Sequence, residues 1–184
     1  MRWAQFELEQ PKLAELGRRR LGDPGVVLVV TMRSDGTPRL SPVEPLFWDQ
    51  DLWLSMMWGS LKAADLERDP RLLVHSTVSG REGTNGEFKV RGRAVPEPDL
   101  RTQRAYAEVV KAALGWVPVP GRFHLFRVAI DDVTFIGYDD ATGDQFVARW
   151  PDLDEFARRA TSPTSVGDPE PRHELLADRR TGSA

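Results

Sequence analysis

A glycine, a serine and a lysine come together where an apolar segment gives way to an amphipathic one. Gly59 and Ser60 follow the apolar residues 53–58, and Lys62 lies in the first turn of a predicted helix. Glycine lets the backbone approach a ligand, and a helix start presents unpaired N–H groups and a positive dipole to an anion. The spacing therefore indicates a phosphate cup. An ordinary serine N-cap followed by a surface lysine explains the same residues.

The segments before this turn predict strands that could wall a ligand site. Residues 26–32 are apolar and mostly β-branched, which predicts a central strand, and the turn 34–36 leads into a return strand over residues 38–48. Three prolines interrupt the return strand, and proline cannot donate to a ladder. We therefore expect a free edge or a bulge there, with backbone beside Arg39 and Ser41 facing a ligand.

The remaining segments predict a meander of short strands with inserted helices. Helical spacing predicts helices over residues 3–21 with an interruption at Pro11, 61–69, and 100–116 with residues 106, 109, 110, 113 and 114 on one face. Alternation and apolar runs predict further strands over residues 72–78, 88–95, 123–130, 133–138 and 145–150. The turn 139–144 holds three aspartates but lacks the closing glutamate of a calcium loop, so it predicts a hairpin and no metal site. This order favours a small, mainly β barrel over a doubly wound parallel sheet.

Length and composition narrow the function classes. They fit one domain over residues 1–160, with an N-terminal helix, and a mobile tail over residues 161–184. The net charge of -3 comes from interspersed residues of both signs, so we expect no nucleic acid and no membrane as partner. The chain has no cysteine, so redox chemistry would require a cofactor. Charged residues near the N-terminus and the lack of a long apolar run predict a cytoplasmic location.

The motifs, taken in order, resemble the pyridoxamine phosphate oxidase-like family, the flavin-binding split barrels. The motifs that carry the resemblance are the Pro-Arg-x-Ser-Pro-Val strand, the Gly-Ser-x-Lys helix start, Asp-Pro-Arg and a His-Ser strand, all within residues 38–76. The match extends from about residue 26 to residue 150. The resemblance implies a six-stranded split β-barrel that forms a homodimer, with two FMN sites in grooves between the subunits.

The resemblance also implies which residues hold the cofactor. Ser60 and Lys62 would hold the FMN phosphate, which agrees with the cup inferred from their spacing. Arg39 would approach the phosphate or the ribityl chain. The other residues that match cofactor contacts are Leu40, Ser41 and Pro42 along the flavin, Ser55, Met56 and Met57 beside its ring, and Arg149 and Trp150 reaching the site of the other subunit.

Two departures from the family pattern bear on activity. Leu61 stands where relatives often carry a second basic residue, and residues 149–153 do not match the basic motif with which the oxidase holds pyridoxal phosphate. Some relatives bind the deazaflavin coenzyme F-420 instead of FMN. The leading prediction is a flavin- or deazaflavin-dependent oxidoreductase acting on a small molecule, with a substrate mouth near Trp58, the loop 80–86 and Trp150.

Two other functions fit the same residues. One is a protein that stores or senses a flavin or haem without turnover, and the other is a ligand-free dimeric scaffold. No residue is assigned as a catalytic acid or base. His75, His124 and Tyr106 are the available groups, and each is predicted to be structural.

Overall fold

A computed structural model describes residues 1–78 and 85–176 of the chain. The helices are α1 (Trp3–Glu9), α2 (Pro11–Gly22), α3 (Leu61–Arg68) and α4 (Leu100–Leu114). The strands are β1 (Val27–Met32), β2 (Pro38–Val43), β3 (Pro45–Trp48), β4 (Asp51–Met57), β5 (Arg71–Ser76), β6 (Glu87–Pro96), β7 (Phe123–Tyr138), β8 (Gln145–Trp150), β9 (Asp154–Ser162) and β10 (Ser165–Pro171). Most of the predicted loop 80–86 lies outside the described residues.

Seven strand segments form the barrel, in the order β2-β1-β5-β6-β7-β4-β3. β1 pairs with β2 and β5, β5 with β6, β6 with β7, β7 with β4, and β4 with β3, all antiparallel. β2 and β3 are two halves of the predicted return strand, separated at Glu44. Because Pro42 and Pro45 have no N–H group, the ladder changes partner between them. The predicted mainly β barrel with inserted helices is confirmed.

The two strands predicted over residues 123–130 and 133–138 form one strand, β7. Its register against β6 shifts between Arg91 and Gly92, so that Asp132 pairs with Arg91 and Ile130 pairs with Gly92. Asp131 is the extra residue of this bulge, which bends the strand without ending it. The long strand therefore takes part in pairing with β4, β6 and β8.

The sheet continues past the barrel, which corrects the predicted domain end at residue 160. β8, β9 and β10 add to β7 in succession. After β10, the backbone N–H groups of Glu174, Leu175 and Leu176 donate to the carboxylate of Glu155, at 2.9 to 3.0 Å. The chain predicted as a mobile tail is thus ordered in strands and a bonded turn as far as residue 176.

The helices at the N-terminus cover one side of the barrel. The predicted interruption at Pro11 is confirmed, since proline there is the first residue of α2 and needs no N–H partner. Trp3 and Phe6 of α1 are fully buried with Phe88 of β6 in the main core. A buried carboxylate, Asp51, accepts hydrogen bonds from the Arg2 side chain at 2.7 Å and the Trp3 amide at 3.1 Å, which fixes the entry of the chain.

Helix α4 covers a second, smaller core. Its buried residues are Gln103, Tyr106, Ala107 and Val110, packed around Trp53, Phe123 and Leu125 of the barrel. The sequence-based face is therefore wrong in its last turn, because Ala113 and Leu114 are exposed. That turn leads into the connector 115–121.

Candidate functional site

The predicted phosphate cup is a tight turn between β4 and α3. Gly59 has a φ of 71°, a left-handed conformation that glycine adopts without steric cost. The amide of Ser60 then donates to the carbonyl of Met57 at 3.1 Å, and α3 begins at Leu61. The local sequence thus places the start of α3 directly after the end of β4.

Ser60 is at the N-cap position, but its side chain makes no capping bond. The amides of Leu61 and Lys62, the first two residues of α3, have no acceptor within the helix because no helical carbonyl precedes them. The Ser60 hydroxyl is shielded from solvent and has no hydrogen-bond partner within the described chain. Because buried hydroxyls are normally bonded, this turn has donors to spare for an acceptor from outside the chain.

A groove of about 590 Å³ opens beside this turn. Five of the predicted site residues line it: Pro42, Ser55, Met56, Met57 and Lys62. The groove falls within the range of small-molecule sites, which are mostly apolar with a few placed polar groups. The structure therefore brings together residues from β2, β4 and α3 that lie up to 20 positions apart in sequence.

The charged side chains of the groove are few and mixed in sign. Lys62 donates from Nζ to the carbonyl of Pro42 at 3.2 Å, which links α3 to β2. An ammonium group carries three donors, so Lys62 can bind an anion while keeping this bond. Glu44 and Arg122 line the groove as well. Lys62 is thus the cation closest in sequence to the open helix start.

Arg39 is bonded within the chain, and its approach to a cofactor stays a prediction. Its Nε donates at 2.7 Å to Asp65, whose side chain is only 5% exposed. Thr31 donates to the same carboxylate at 2.9 Å and Arg68 at 3.2 Å. Burial alone would raise the pKa of Asp65, but the bonds from Arg39, Thr31 and Arg68 outweigh it and lower that pKa below its usual value. Arg39 therefore anchors β2 to α3 beneath the turn.

The remaining predicted residues lie outside the groove lining, and these include Ser60, whose chain neighbours Trp58 and Lys62 do line the groove. Leu40 is 61% exposed on β2, and Ser41 is its half-buried neighbour. Arg149 pairs with Asp154 at 3.4 Å. Trp150 is 6% exposed within the main core, where its indole N–H donates to Glu9 at 3.2 Å. Within this chain the indole therefore packs in the core, and the contact of Trp150 with the cofactor site of another subunit stays a prediction.

Tyr106 is a buried neighbour of the groove. It is 1% exposed, hydrogen-bonded to the groove residue Ser55. Burial raises the pKa of Tyr106 to about 12, the Ser55 bond opposes the rise, and the nearby charge of Glu44 adds to it. The phenol is therefore neutral at physiological pH and serves as a fixed support, as the sequence predicts.

The two candidate histidines differ in their surroundings. His75 lies on β5 with Nδ1 2.6 Å from the carbonyl of Ser76, which fits the predicted structural role. His124 lies on β7, and its Nε2 is 3.3 Å from the amide nitrogen of Gly59 in the turn between β4 and α3. The sequence places these two residues 65 positions apart, so only the pairing of β4 with β7 reveals the contact.

Sequence reasoning missed one wall of the groove. Trp116, Pro118, Val119 and Arg122, from the connector between α4 and β7, face the β4 residues. The sequence does show large apolar residues in a proline-rich connector, which could have indicated this wall. In the structure Trp116 is 42% exposed and Val119 is 63% exposed. Of the predicted substrate mouth, Trp58 lines the groove, Trp150 is in the core, and residues 80–84 lie outside the described chain.

None of the helices in the described ranges is long and apolar enough to cross a membrane. The fold has solved counterparts. General Stress Protein 26 from Bacillus anthracis aligns with a TM-score of 0.52 and 20% identity over 70% of this chain and 93% of its own. A NimC/NimA family protein from Clostridium acetobutylicum aligns with a TM-score of 0.61 and 12% identity over 79% and 97%. An F420 reductase aligns with a TM-score of 0.50 and 19% identity over 63% and 94%.

At these identities the likeness to solved structures shows the fold alone. The chain has no significant match among curated proteins. The family model for pyridoxamine 5'-phosphate oxidase, however, matches residues 13–137. This range includes β1 to β6, all of β7 except its last residue, the turn between β4 and α3, and every groove residue from β2, β4 and α3. The chain therefore belongs to the pyridoxamine 5'-phosphate oxidase family.

Proposed function

We propose that the chain binds FMN, or the deazaflavin coenzyme F-420, in the groove beside the β4–α3 turn and acts as an oxidoreductase on a small molecule. The observation that carries the proposal is the shielded, unpartnered Ser60 hydroxyl at an uncapped helix start, two residues before Lys62. A phosphate supplies acceptors for all of these donors. Membership of the family and the likeness to an F420 reductase agree with a flavin or deazaflavin.

The residues present fit such a group in charge and shape. Ser60, the first amides of α3 and Lys62 would hold the phosphate, while Met56, Met57 and Ser55 would lie along the ring from β4. When bound, the cofactor supplies hydride chemistry that no side chain offers. The chain binds and orients it: the helix start favours a dianion, and the apolar wall from β4 and the connector 115–121 keeps water away from one face.

We further propose that the groove is completed by a second copy of the chain. Four large apolar side chains that line it are exposed in the single chain: Met57, Trp58, Trp116 and Val119. Contiguous apolar surface of this kind usually marks an interface. A homodimer would cover these residues and would turn the open groove into a closed site. Sedimentation equilibrium tests this step, with about twice the monomer mass of 20.7 kDa expected.

The binding experiment is a titration of the purified full chain with FMN, riboflavin and coenzyme F-420, followed by tryptophan fluorescence. We expect FMN or F-420 to bind, and Lys62→Ala to weaken FMN binding by about ten- to a hundredfold, the usual contribution of a charged hydrogen bond. Riboflavin lacks the phosphate, so its affinity should change little in the variant. Binding of neither cofactor would refute the proposal.

The matched control is Lys12→Ala. Lys12, like Lys62, donates to one backbone carbonyl, that of Glu174 at 3.1 Å, but it lies on α2 away from the groove. Equal losses in both variants would show that charge or stability, rather than the phosphate site, controls affinity. Turnover is then tested by mixing the reduced, protein-bound cofactor anaerobically with quinones and nitroaromatic compounds. Reoxidation no faster than that of the free cofactor would favour a storage or sensing protein.

A further inference from the structure

His124 contacts the turn between β4 and α3, residues 57–60, which we call the phosphate turn, and its ring stacks with two other aromatic rings. It stacks on Trp58 with ring centroids 5.0 Å apart and an interplanar angle of 13°, and on Phe126 at 6.3 Å and 5°. Its side chain is only 15% exposed. Stacking thus fixes the orientation of the imidazole ring, and each of its two nitrogens has a partner within the chain.

Those partners determine the proton on the ring. Nε2 is 3.3 Å from the amide nitrogen of Gly59, and an amide N–H can only donate, so Nε2 must carry a lone pair. Nδ1 is 2.9 Å from the carboxylate of Glu67. Because an ionised carboxylate has no hydrogen to donate and can only accept, Nδ1 carries the proton. The contacts therefore fit the neutral imidazole in a single tautomer.

The same ring connects both ends of the segment that carries the phosphate donors. Gly59 directly precedes Ser60, and Glu67 lies in the last turn of α3. We propose that His124 is a positioning residue that holds the Gly59–Ser60 turn in its phosphate-binding shape while its imidazole is neutral, and releases the turn on protonation. This inference rests on the proposed function, because it concerns the same phosphate site.

The charges around the ring decide which contact protonation would break. Glu67 of α3 faces Nδ1, and Glu97, after β6, lines a small cavity of about 300 Å³ together with His124. The two rings stacked with the imidazole, Trp58 and Phe126, are uncharged. An imidazolium would keep its Glu67 contact, whereas Nε2–H would confront the Gly59 N–H, donor against donor. The turn must then move, and the amides that follow Gly59 move with it.

The test compares FMN affinity at about pH 8 and about pH 5.5, a range in which histidines ordinarily titrate. The phosphate of FMN also loses charge in this range, so the wild type is compared with His124→Gln, which offers an acceptor for Gly59 but does not titrate. We expect acidification to weaken wild-type binding about tenfold more than it weakens binding to His124→Gln, which is the effect of about one hydrogen bond.

A third variant, His124→Phe, keeps the ring stack but removes the acceptor. It should bind FMN more weakly than wild type at pH 8 and show no additional pH dependence. A purely structural role would lower thermal stability in both variants and leave the pH dependence of binding like that of wild type. The same pH dependence in wild type and His124→Gln would therefore overturn the inference.

A second readout separates this inference from the proposed function. Nitrogen-15 NMR of the histidine ring reports the tautomer without any ligand, and exchange of the Gly59 amide proton reports the turn. We expect an unprotonated Nε2 at pH 8. Relative to the intrinsic exchange rate at each pH, the Gly59 amide should be less protected at pH 5.5 than at pH 8 in wild type but not in His124→Gln. If FMN fails to bind while these signals appear, the turn is controlled by His124 but the proposed cofactor is wrong. A protonated Nε2 at pH 8 would overturn the positioning role.

Discussion

Asp65 is the residue whose removal should most directly test how the phosphate turn is supported. Its carboxylate is 5% exposed and accepts bonds from Thr31, Arg39 and Arg68. Removing one partner of a buried ion pair costs about 3–5 kcal/mol. Arg39 and Arg68 are 21% and 43% exposed, so water compensates part of that loss. We expect Asp65→Ala to lower the free energy of unfolding by about 2–4 kcal/mol.

The assay is urea unfolding followed by tryptophan fluorescence, together with thermal melting. For a chain of this length the expected loss corresponds to a fall in melting temperature of about 5–15 °C. The control is Asp131→Asn, which removes an ion pair with Arg93 whose two side chains are 55% and 57% exposed, and which should change stability by less than about 0.5 kcal/mol.

The pH dependence follows from the sign of the shift. The pKa of Asp65 is lower in the folded chain than its ordinary value, so the carboxylate stabilises the fold above that ordinary value, and this contribution is lost as the pH falls through the folded pKa. The stability difference between wild type and Asp65→Ala should therefore narrow in strong acid. A cost below about 1 kcal/mol at pH 7, with an unchanged denaturant slope, would refute the view that this network holds the turn.

Three further substitutions have clear expected outcomes. Burial raises the pKa of Tyr106 from its ordinary value of 10 to about 12, so the neutral phenol stabilises the fold fully below pH 10, and this stabilisation is lost as the pH rises from 10 toward 12. Tyr106→Phe should therefore reduce the loss of unfolding free energy at alkaline pH, measured by urea unfolding. In Gly92→Ala the new Cβ would lie 2.1 Å from the Ala129 carbonyl oxygen, so unfolding free energy should fall by about 2–4 kcal/mol in denaturant titrations, whereas Gly22→Ala in α2, with its nearest contact at 3.6 Å, should be neutral or stabilising. Glu155→Ala removes the acceptor of three amides, so hydrogen exchange at residues 174–176 should accelerate while exchange in β5 stays unchanged.

The features that the sequence predicts correctly depend on neighbours along the chain. The turn at Gly59, the break of the first helix at Pro11 and the end of α3 before Pro70 follow from the backbone limits of glycine and proline. The mainly β order follows in the same way from alternation and hairpin turns. Five residues predicted to contact a cofactor line one groove, since β2, β4 and α3 carry the motifs of the family, and the contact itself stays a prediction.

The predictions that failed concern contacts between distant parts of the chain. Nothing near residue 160 reveals that β9 continues the sheet through pairing with β8, and the two strands predicted in place of β7 are joined by a bulge that depends on Gly92. The packing of Trp150 in the core was likewise not visible in the sequence, because it depends on Phe6 and Glu9 of α1, whereas its contact with the cofactor site of another subunit stays a prediction.

The sequence by itself determined the local geometry of this protein: a glycine turn, an early lysine, a proline-broken strand and the absence of cysteine chemistry. Only the tertiary structure decided which side chains meet. The barrel places His124 under Gly59, directs Arg39 to Asp65 and closes one side of the groove with the connector 115–121. Backbone preferences act over a few residues, whereas the pairing of β4 with β7 brings Gly59 and His124 together although they lie 65 positions apart, and such long-range pairing builds the site.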